Sequence, residues 1–222
     1  MQSIKPKWIK RIFVLILVIF ISYILYLNSL VKSQFSSEIE LKDNVIQVQN
    51  LIDDYPKELI NMLLLVEDQS FFNHKGVDFK EILRVLYGYL FEEKELRGAS
   101  TITQQLIKNT LLSRDKTLAR KTDEALMAIL MEMSYDKNFI LERYMNTVYL
   151  AQQGSTAIHG FASGSLHYFD KDVESLNLEE MATLVALLKG PSYYNPVNSP
   201  ERLSRRVEMI LSMHKNYKKI IQ

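Results

Sequence analysis

Two short stretches of this sequence hold side chains able to do chemistry. In Glu67-Asp68-Gln69-Ser70-Phe71-Phe72-Asn73-His74-Lys75-Gly76-Val77-Asp78, a carboxylate directly follows the apolar run Leu63-Leu64-Leu65-Val66. An acid at the edge of apolar surface loses part of its hydration, which suits it to accept a proton near neutral pH. Asp68, His74 and Asp78 follow within one loop, placed to hold Glu67 or its backbone. In Gly98-Ala99-Ser100-Thr101-Ile102-Thr103-Gln104-Gln105-Leu106-Ile107-Lys108-Asn109, hydroxyls, amides and a cation are packed closely. An acid facing a surface able to grip sugars and phosphates points to glycosyl chemistry on an anionic substrate.

Each block also has a plainer explanation. Two acids ending a helix before a turn are common without catalysis. In the second block, helical spacing puts residues 101, 104, 105 and 108 on one face and leaves Ile102 and Leu106 for the core. Ser100, Thr101, Gln104, Gln105, Lys108 and Asn109 then form either a binding face or a solvated one, although solvated faces are more often built from Glu and Lys. A third block, Arg120-Lys121-Thr122-Asp123-Glu124, sets Arg120 and Glu124 at i,i+4, the spacing of an ordinary helical ion pair. Its other use is two cations, with Lys116 one turn earlier, gripping a pyrophosphate beside a second acid.

The elements that must position these residues are mostly helices. Asp54 with Pro56 opens one through Val66. Phe79–Phe91 is a second, Ser100 caps a third through Leu112, and Thr117 a fourth through Met133. Lys137–Leu150 is a fifth. Asn177-x-x-Glu180 forms a capping box before a helix that Gly190-Pro191 stops, and Ser199-Pro200-Glu201 opens the last. Strand patterns are few and short, Val45-Ile46-Gln47-Val48 among them. The fold class is therefore mainly α: a domain over 50–222, reached through a polar connector over 32–49.

Ahead of the connector, Ile12–Leu27 is almost wholly apolar, and carried on to Val31 it reaches a length able to cross a bilayer. Lys5, Lys7, Lys10 and Arg11 flank it on one side, and Glu38, Glu40 and Asp43 follow on the other. The positive-inside rule then leaves the N-terminus in the cytoplasm and the domain outside, single-pass. A cleaved signal peptide is the competing reading, but no small-x-small site follows the run. With 47% hydrophobic and 24% charged residues the rest has the composition of a folded domain, and a net charge of +1 argues against nucleic acid as a partner. The chain contains no cysteine, which excludes disulfides, thiolate metal sites and thiol nucleophiles.

In this order and spacing, the motifs resemble the peptidoglycan glycosyltransferases: the transglycosylase module of class A penicillin-binding proteins and its monofunctional relatives. The resemblance covers about residues 50 to 215. It rests on ED-x-x-F-x-x-H-x-G-x-D at 67–78, G-x-ST-x-TQQL-x-KN at 98–109 and RK-x-x-E at 120–124. ILERYMNTVYL at 140–150, His159-Gly160-Phe161, Tyr168-Phe169 and LVALLKGPSYYNP at 184–196 extend it. It implies a lysozyme-like fold and an inverting transfer in a bacterial cytoplasmic membrane. Lipid II and the growing glycan strand would be the substrates, with other cell-wall synthesis proteins as further partners. Glu67 takes the place of the family's base and Glu124 that of its second glutamate. Lys108, Lys116, Arg120 and Lys121 would offset pyrophosphate charge, while Ser100, Gln104, Gln105 and Asn109 would position glycan or phosphate. No obligatory cofactor and no protein-held metal site are implied. A divalent cation, Mg or Mn, is possible at the pyrophosphate, as in some relatives.

The sequence departs from the family at Ala151 and Asp170, where relatives carry glycine, at His159 in place of an arginine, and at Asp123 in place of a lysine. The glycine replacements are expected to require changed turns. Ser134-x-x-Lys137 and Ser212-x-x-Lys215 superficially match a penicillin-binding tetrad but lack its companion motifs, and the 222 residues leave no room for a transpeptidase domain. A lytic enzyme on the same fold and a catalytically weak membrane scaffold remain as alternative functions. Phe79–Phe91, apolar with Lys80 and Arg84, is placed either in the headgroup region or in the core.

Overall fold

The structure, a computed structural model, describes residues 7–36, 45–46, 50–92, 98–113, 115–217 and 220–221. Lys5, Glu38, Glu40, Asp43, Gln47 and Val48, named above, lie outside the described residues. Helix α1 runs Lys7–Phe35, and a strand β1 (Val45–Ile46) follows. Then come α2 (Lys57–Glu67), α3 (Phe79–Phe91), α4 (Ile102–Leu111), α5 (Leu118–Ser134) and α6 (Lys137–Thr147). A hairpin β2 (Tyr149–Gln153) and β3 (Thr156–His159) precedes α7 (Phe161–Phe169), α8 (Leu178–Leu187) and α9 (Pro200–Asn216).

The helix starts follow local chemistry. Thr117, Asp136 and Asn177 each accept a hydrogen bond from the third backbone N–H of the helix they open, and Asn177 completes its box with Glu180. Two expectations need correcting. Thr101, not Ser100, caps α4, in a reciprocal box with Gln104. The helix expected to reach Leu150 stops at Thr147, because the β-branched pair Thr147-Val148 and then Tyr149 turn the chain into β2. The sheet orders its strands β1-β3-β2, with β1 parallel and β2 antiparallel to β3.

One continuous core joins α2, α4, α5, α6 and α8, with Leu59, Met62, Leu63, Leu64, Leu106, Met131 and Leu184 almost fully buried. The last turns of α1 belong to it. Leu27, Val31 and Phe35 are 2%, 0% and 5% exposed, so the helix passes the expected boundary at residue 31 and enters the domain rather than leading to a connector. Burying each of these side chains stabilises the fold by about 1.5–3 kcal/mol. From Trp8 to Ile21, by contrast, the large apolar side chains of α1 lie exposed, and the helix is long and apolar enough to cross a membrane.

Asn146 and Asn61 tie loops to this frame. The Asn146 carboxamide exchanges hydrogen bonds with the Asn50 backbone and accepts from the Tyr55 hydroxyl, joining the segment before α2 to α6. Asn61, buried on α2, accepts from the backbone N–H of Ile220 and Ile221. Asp170 ends α7 in the left-handed conformation, at φ 54°, a region that glycine adopts at least cost. Ala151 is buried in β2, next to an irregularity in register between Tyr149 and Ala151.

Candidate active site

Glu67 is the last residue of α2 and is half-buried. Gln105 on α4 donates from its side-chain amide to Glu67 Oε2 at 2.9 Å. The amide's own oxygen accepts from the Tyr144 hydroxyl of α6 at 3.1 Å. Tyr144 is 1% exposed, and burial, then the nearby Glu67 and Asp68, push its hydroxyl well above the ordinary tyrosine range. It therefore remains a donor, which fixes the sense of the chain: Tyr144 to Gln105, Gln105 to Glu67. Among the described residues nothing donates to Glu67 Oε1.

Behind Glu67 lies a buried polar cluster. Asp68 receives the first backbone N–H of α4, from Ile102, at 2.9 Å and pairs with His74 Nε2 at 3.0 Å. On the other side of the ring, His74 Nδ1 lies 3.5 Å from Glu132. Glu132 also accepts from the Thr103 hydroxyl at 2.7 Å and pairs with Lys137, whose ammonium sits 4.4 Å over the Phe71 ring. The 67–78 loop is drawn close to α5 at Gly76, where a Cβ would lie 2.5 Å from the Ala128 backbone, and its carbonyl accepts from Thr101. Asp78 caps α3 through the Glu81 N–H. Asp68, His74 and Asp78 thus fix the loop and two helix starts. Lys137 of the Ser134-x-x-Lys137 match is committed to Glu132.

Glu124 is 1% exposed, and its two oxygens take Arg120 Nη1 at 2.8 Å and the Lys121 ammonium. Each oxygen thus holds one cation, and the Arg120 contact is the i,i+4 pair that the spacing offered. Arg120 also donates to the Asp115 carbonyl, while Lys121 reaches Ser100 Oγ at 2.7 Å and keeps a 44% exposed side chain. Thr101 and Gln104, expected on the binding face, are both 2% exposed and serve as the box that starts α4. Lys108, Asn109 and Lys116 are exposed, and Ser100 and Gln105 are half-buried. The two acids are linked through one end of α4: Thr101, beside Ser100, lies about 6 Å along the axis from Gln105.

Tyr144, Glu132, Thr103 and Lys137 were missed as site residues. Glu132 and Lys137 sit on either side of a helix break, where no periodicity signals a pair. Tyr144 lies inside the ILERYMNTVYL motif, which was the one available clue. Among the described residues no three His, Asp or Glu side chains form a metal-holding group.

A half-buried acid held by an amide at a helix end shares one mainly helical frame with a second acid that holds two cations. The chain belongs to the transglycosylase family, whose description, "Transglycosylase", matches residues 34–215 and carries a lysozyme-like fold. It is 41% identical over 178 residues to penicillin-binding protein 1B of Haemophilus influenzae, covering 80% of this chain and 23% of that protein. Against penicillin-binding protein 1B of Escherichia coli K12 it is 42% identical over 159 residues, 72% of this chain and 19% of the relative. Penicillin-binding protein 1A of Neisseria lactamica is 45% identical over 161 residues, 72% of this chain and 20% of that protein. The chain thus spans about a fifth of the length of these relatives.

Proposed function

We propose that this chain is a membrane-anchored peptidoglycan glycosyltransferase that polymerises lipid II. Glu67 Oε1 takes the proton from the 4-hydroxyl of the acceptor's N-acetylglucosamine. That oxygen attacks the anomeric carbon of the donor's N-acetylmuramic acid, the C–O bond to the phosphate breaks, and undecaprenyl pyrophosphate leaves with inversion to a β-1,4 link. The observation carrying this reading is the division of labour at Glu67: Gln105 holds one oxygen and the other is open. Lys121 and Arg120, held by Glu124, meet the charge that grows on the leaving diphosphate, where preorganised cations are most effective. Lys108, Asn109 and Lys116 lie exposed for glycan or phosphate. A divalent cation, if the reaction employs one, is carried in on the phosphate oxygens.

Membrane attachment supports the same reading, since the polyprenyl tail keeps the substrate in the bilayer. The apolar length of α1 agrees with a single span, and the basic residues at its start favour the N-terminus inside by the positive-inside rule. On α3, Phe79, Leu83, Tyr87, Leu90 and Phe91 are all more than half exposed, which favours headgroup contact over core packing. The test is incubation of the full chain in vesicles with labelled lipid II. Polymer supports the transferase, shortened glycan from a preformed strand supports a lytic enzyme, and no change in either supports a scaffold.

A further inference from the structure

The packing of α1 on α5 carries more than a tether requires. Tyr23 donates its hydroxyl to the Asp123 carboxylate, and the Phe35 ring lies edge-on to Tyr135 with centroids 6.3 Å apart. Both contacts join residues offset by the same interval in sequence, so α1 and α5 run parallel and in register. The N-terminal turn of α5, with Arg120, Lys121 and the 89% exposed Leu118, therefore lies toward the exposed apolar part of α1, level with Val18 to Ile21.

That register sets a depth. Below the level of Arg120, α1 is free of the domain from Trp8 to Ile19, and this length rises only about 18 Å. A hydrocarbon core is about 30 Å thick. The missing several ångströms fall where α5 is already packed alongside. Hydrocarbon does not cover Arg120, Lys121 and Asp123 at acceptable cost, so the outer headgroup layer comes down to meet them. Lys10 and Arg11 at the other end of the free segment keep α1 from sliding outward to relieve this.

We propose that Tyr23 and Asp123 are positioning residues that lock the register of α1 on α5 and so hold Lys116, Arg120 and Lys121 in the outer phosphate layer of the bilayer. Asp123, at a position expected to be lysine in several relatives, adds no positive charge and takes on the anchor instead. The seam of Leu27, Val31 and Phe35 supplies most of the packing energy, but apolar contacts alone tolerate a slip of one turn. The directional Tyr23–Asp123 bond does not. The consequence for turnover rests on the reaction proposed above, whereas depth and register are measured without substrate and stand or fall separately.

Because the chain has no cysteine, introduced cysteines label cleanly. In the full chain in vesicles, a nitroxide at Leu118→Cys is expected to be reached by oxygen and sheltered from a water-soluble nickel chelate, the reverse of one at the exposed Val197→Cys. A label at Leu118 as open to the chelate as that at Val197 overturns the depth. A pair at Val18→Cys and Leu118→Cys is expected to give one narrow distance. Tyr23→Phe or Asp123→Ala is expected to lose it and Asp123→Asn, which still accepts, to restore it. A broad distance in the parent, or a narrow one surviving both Tyr23→Phe and Asp123→Ala, overturns the locking role.

Discussion

Replacing Gln105 by Leu separates steering from folding at the proposed base. The substitution keeps most of the side chain's volume but removes both the donor to Glu67 and the acceptor of the Tyr144 hydroxyl. Leaving the buried Tyr144 O–H without a partner costs about 1–3 kcal/mol, or roughly 2–4 °C of melting temperature per kcal/mol for a domain of this size. A hydrogen bond to a charged group contributes about 1.5–3 kcal/mol, and half-exposure of Glu67 puts its share at the lower end. If that contribution acts on the geometry of proton removal, kcat falls roughly tenfold with KM little changed. Tyr144→Phe tests the next link, since Gln105 still donates to Glu67, and its kcat is expected to fall by no more than about fivefold. The assay is steady-state polymerisation of labelled lipid II in vesicles, with melting followed on the same preparations. A folded Gln105→Leu protein with the parent kcat refutes the argument that the amide steers Glu67.

Other consequences follow from single features. Gly76→Ala is expected to lower the melting temperature sharply, because the added Cβ meets the Ala128 backbone and φ is +86°; an unchanged melting curve contradicts that close approach. Arg120→Ala leaves the buried Glu124 with one cation and is expected to cost more stability than Lys121→Ala, whose side chain is more exposed, as denaturant melts will show. Asp78 is pushed up by burial, but the Ser70 hydroxyl and the Glu81 N–H outweigh this and hold it below its ordinary 3.8. The stability it adds is therefore complete above that value and is lost as pH falls through the lowered one, so the Glu81 amide should exchange faster than the rest of the core predicts as pH is taken down through that range. Deleting residues 1–31 would remove Leu27 and Val31 from the core, so lipid binding by α3 is better tested in a chain starting at Tyr23. That chain is expected to float with liposomes, and Leu83→Glu with Leu90→Glu to abolish flotation.

Much of the helical frame was legible because caps and apolar periodicity are local: Thr117, Asn177 and the Phe79–Phe91 boundaries needed no tertiary information. The acids and cations were legible by type and order. Their partners were not, because side-chain direction is decided by packing. Thr101 and Gln104 lie on the polar face by spacing, yet the box they form turns them inward and buries them. Glu124 carries the sequence mark of a reacting acid, but the adjacent Arg120 and Lys121 claim both its oxygens. Val45-Ile46 was read as part of a short alternation, but β2 and β3 were missed because strands of four or five residues give too short an alternation to distinguish from loop. The α1 boundary was missed because an apolar residue facing lipid and one facing a core look alike in sequence.

The central claim is that Glu67 removes the acceptor proton. Glu67→Gln preserves shape and can still meet Gln105, so its melting curve should match the parent. In vesicles with labelled lipid II, a general base contributes about a hundred- to ten-thousandfold, and polymer formation is expected to fall by that factor. A folded Glu67→Gln protein that polymerises lipid II at the parent rate contradicts the account.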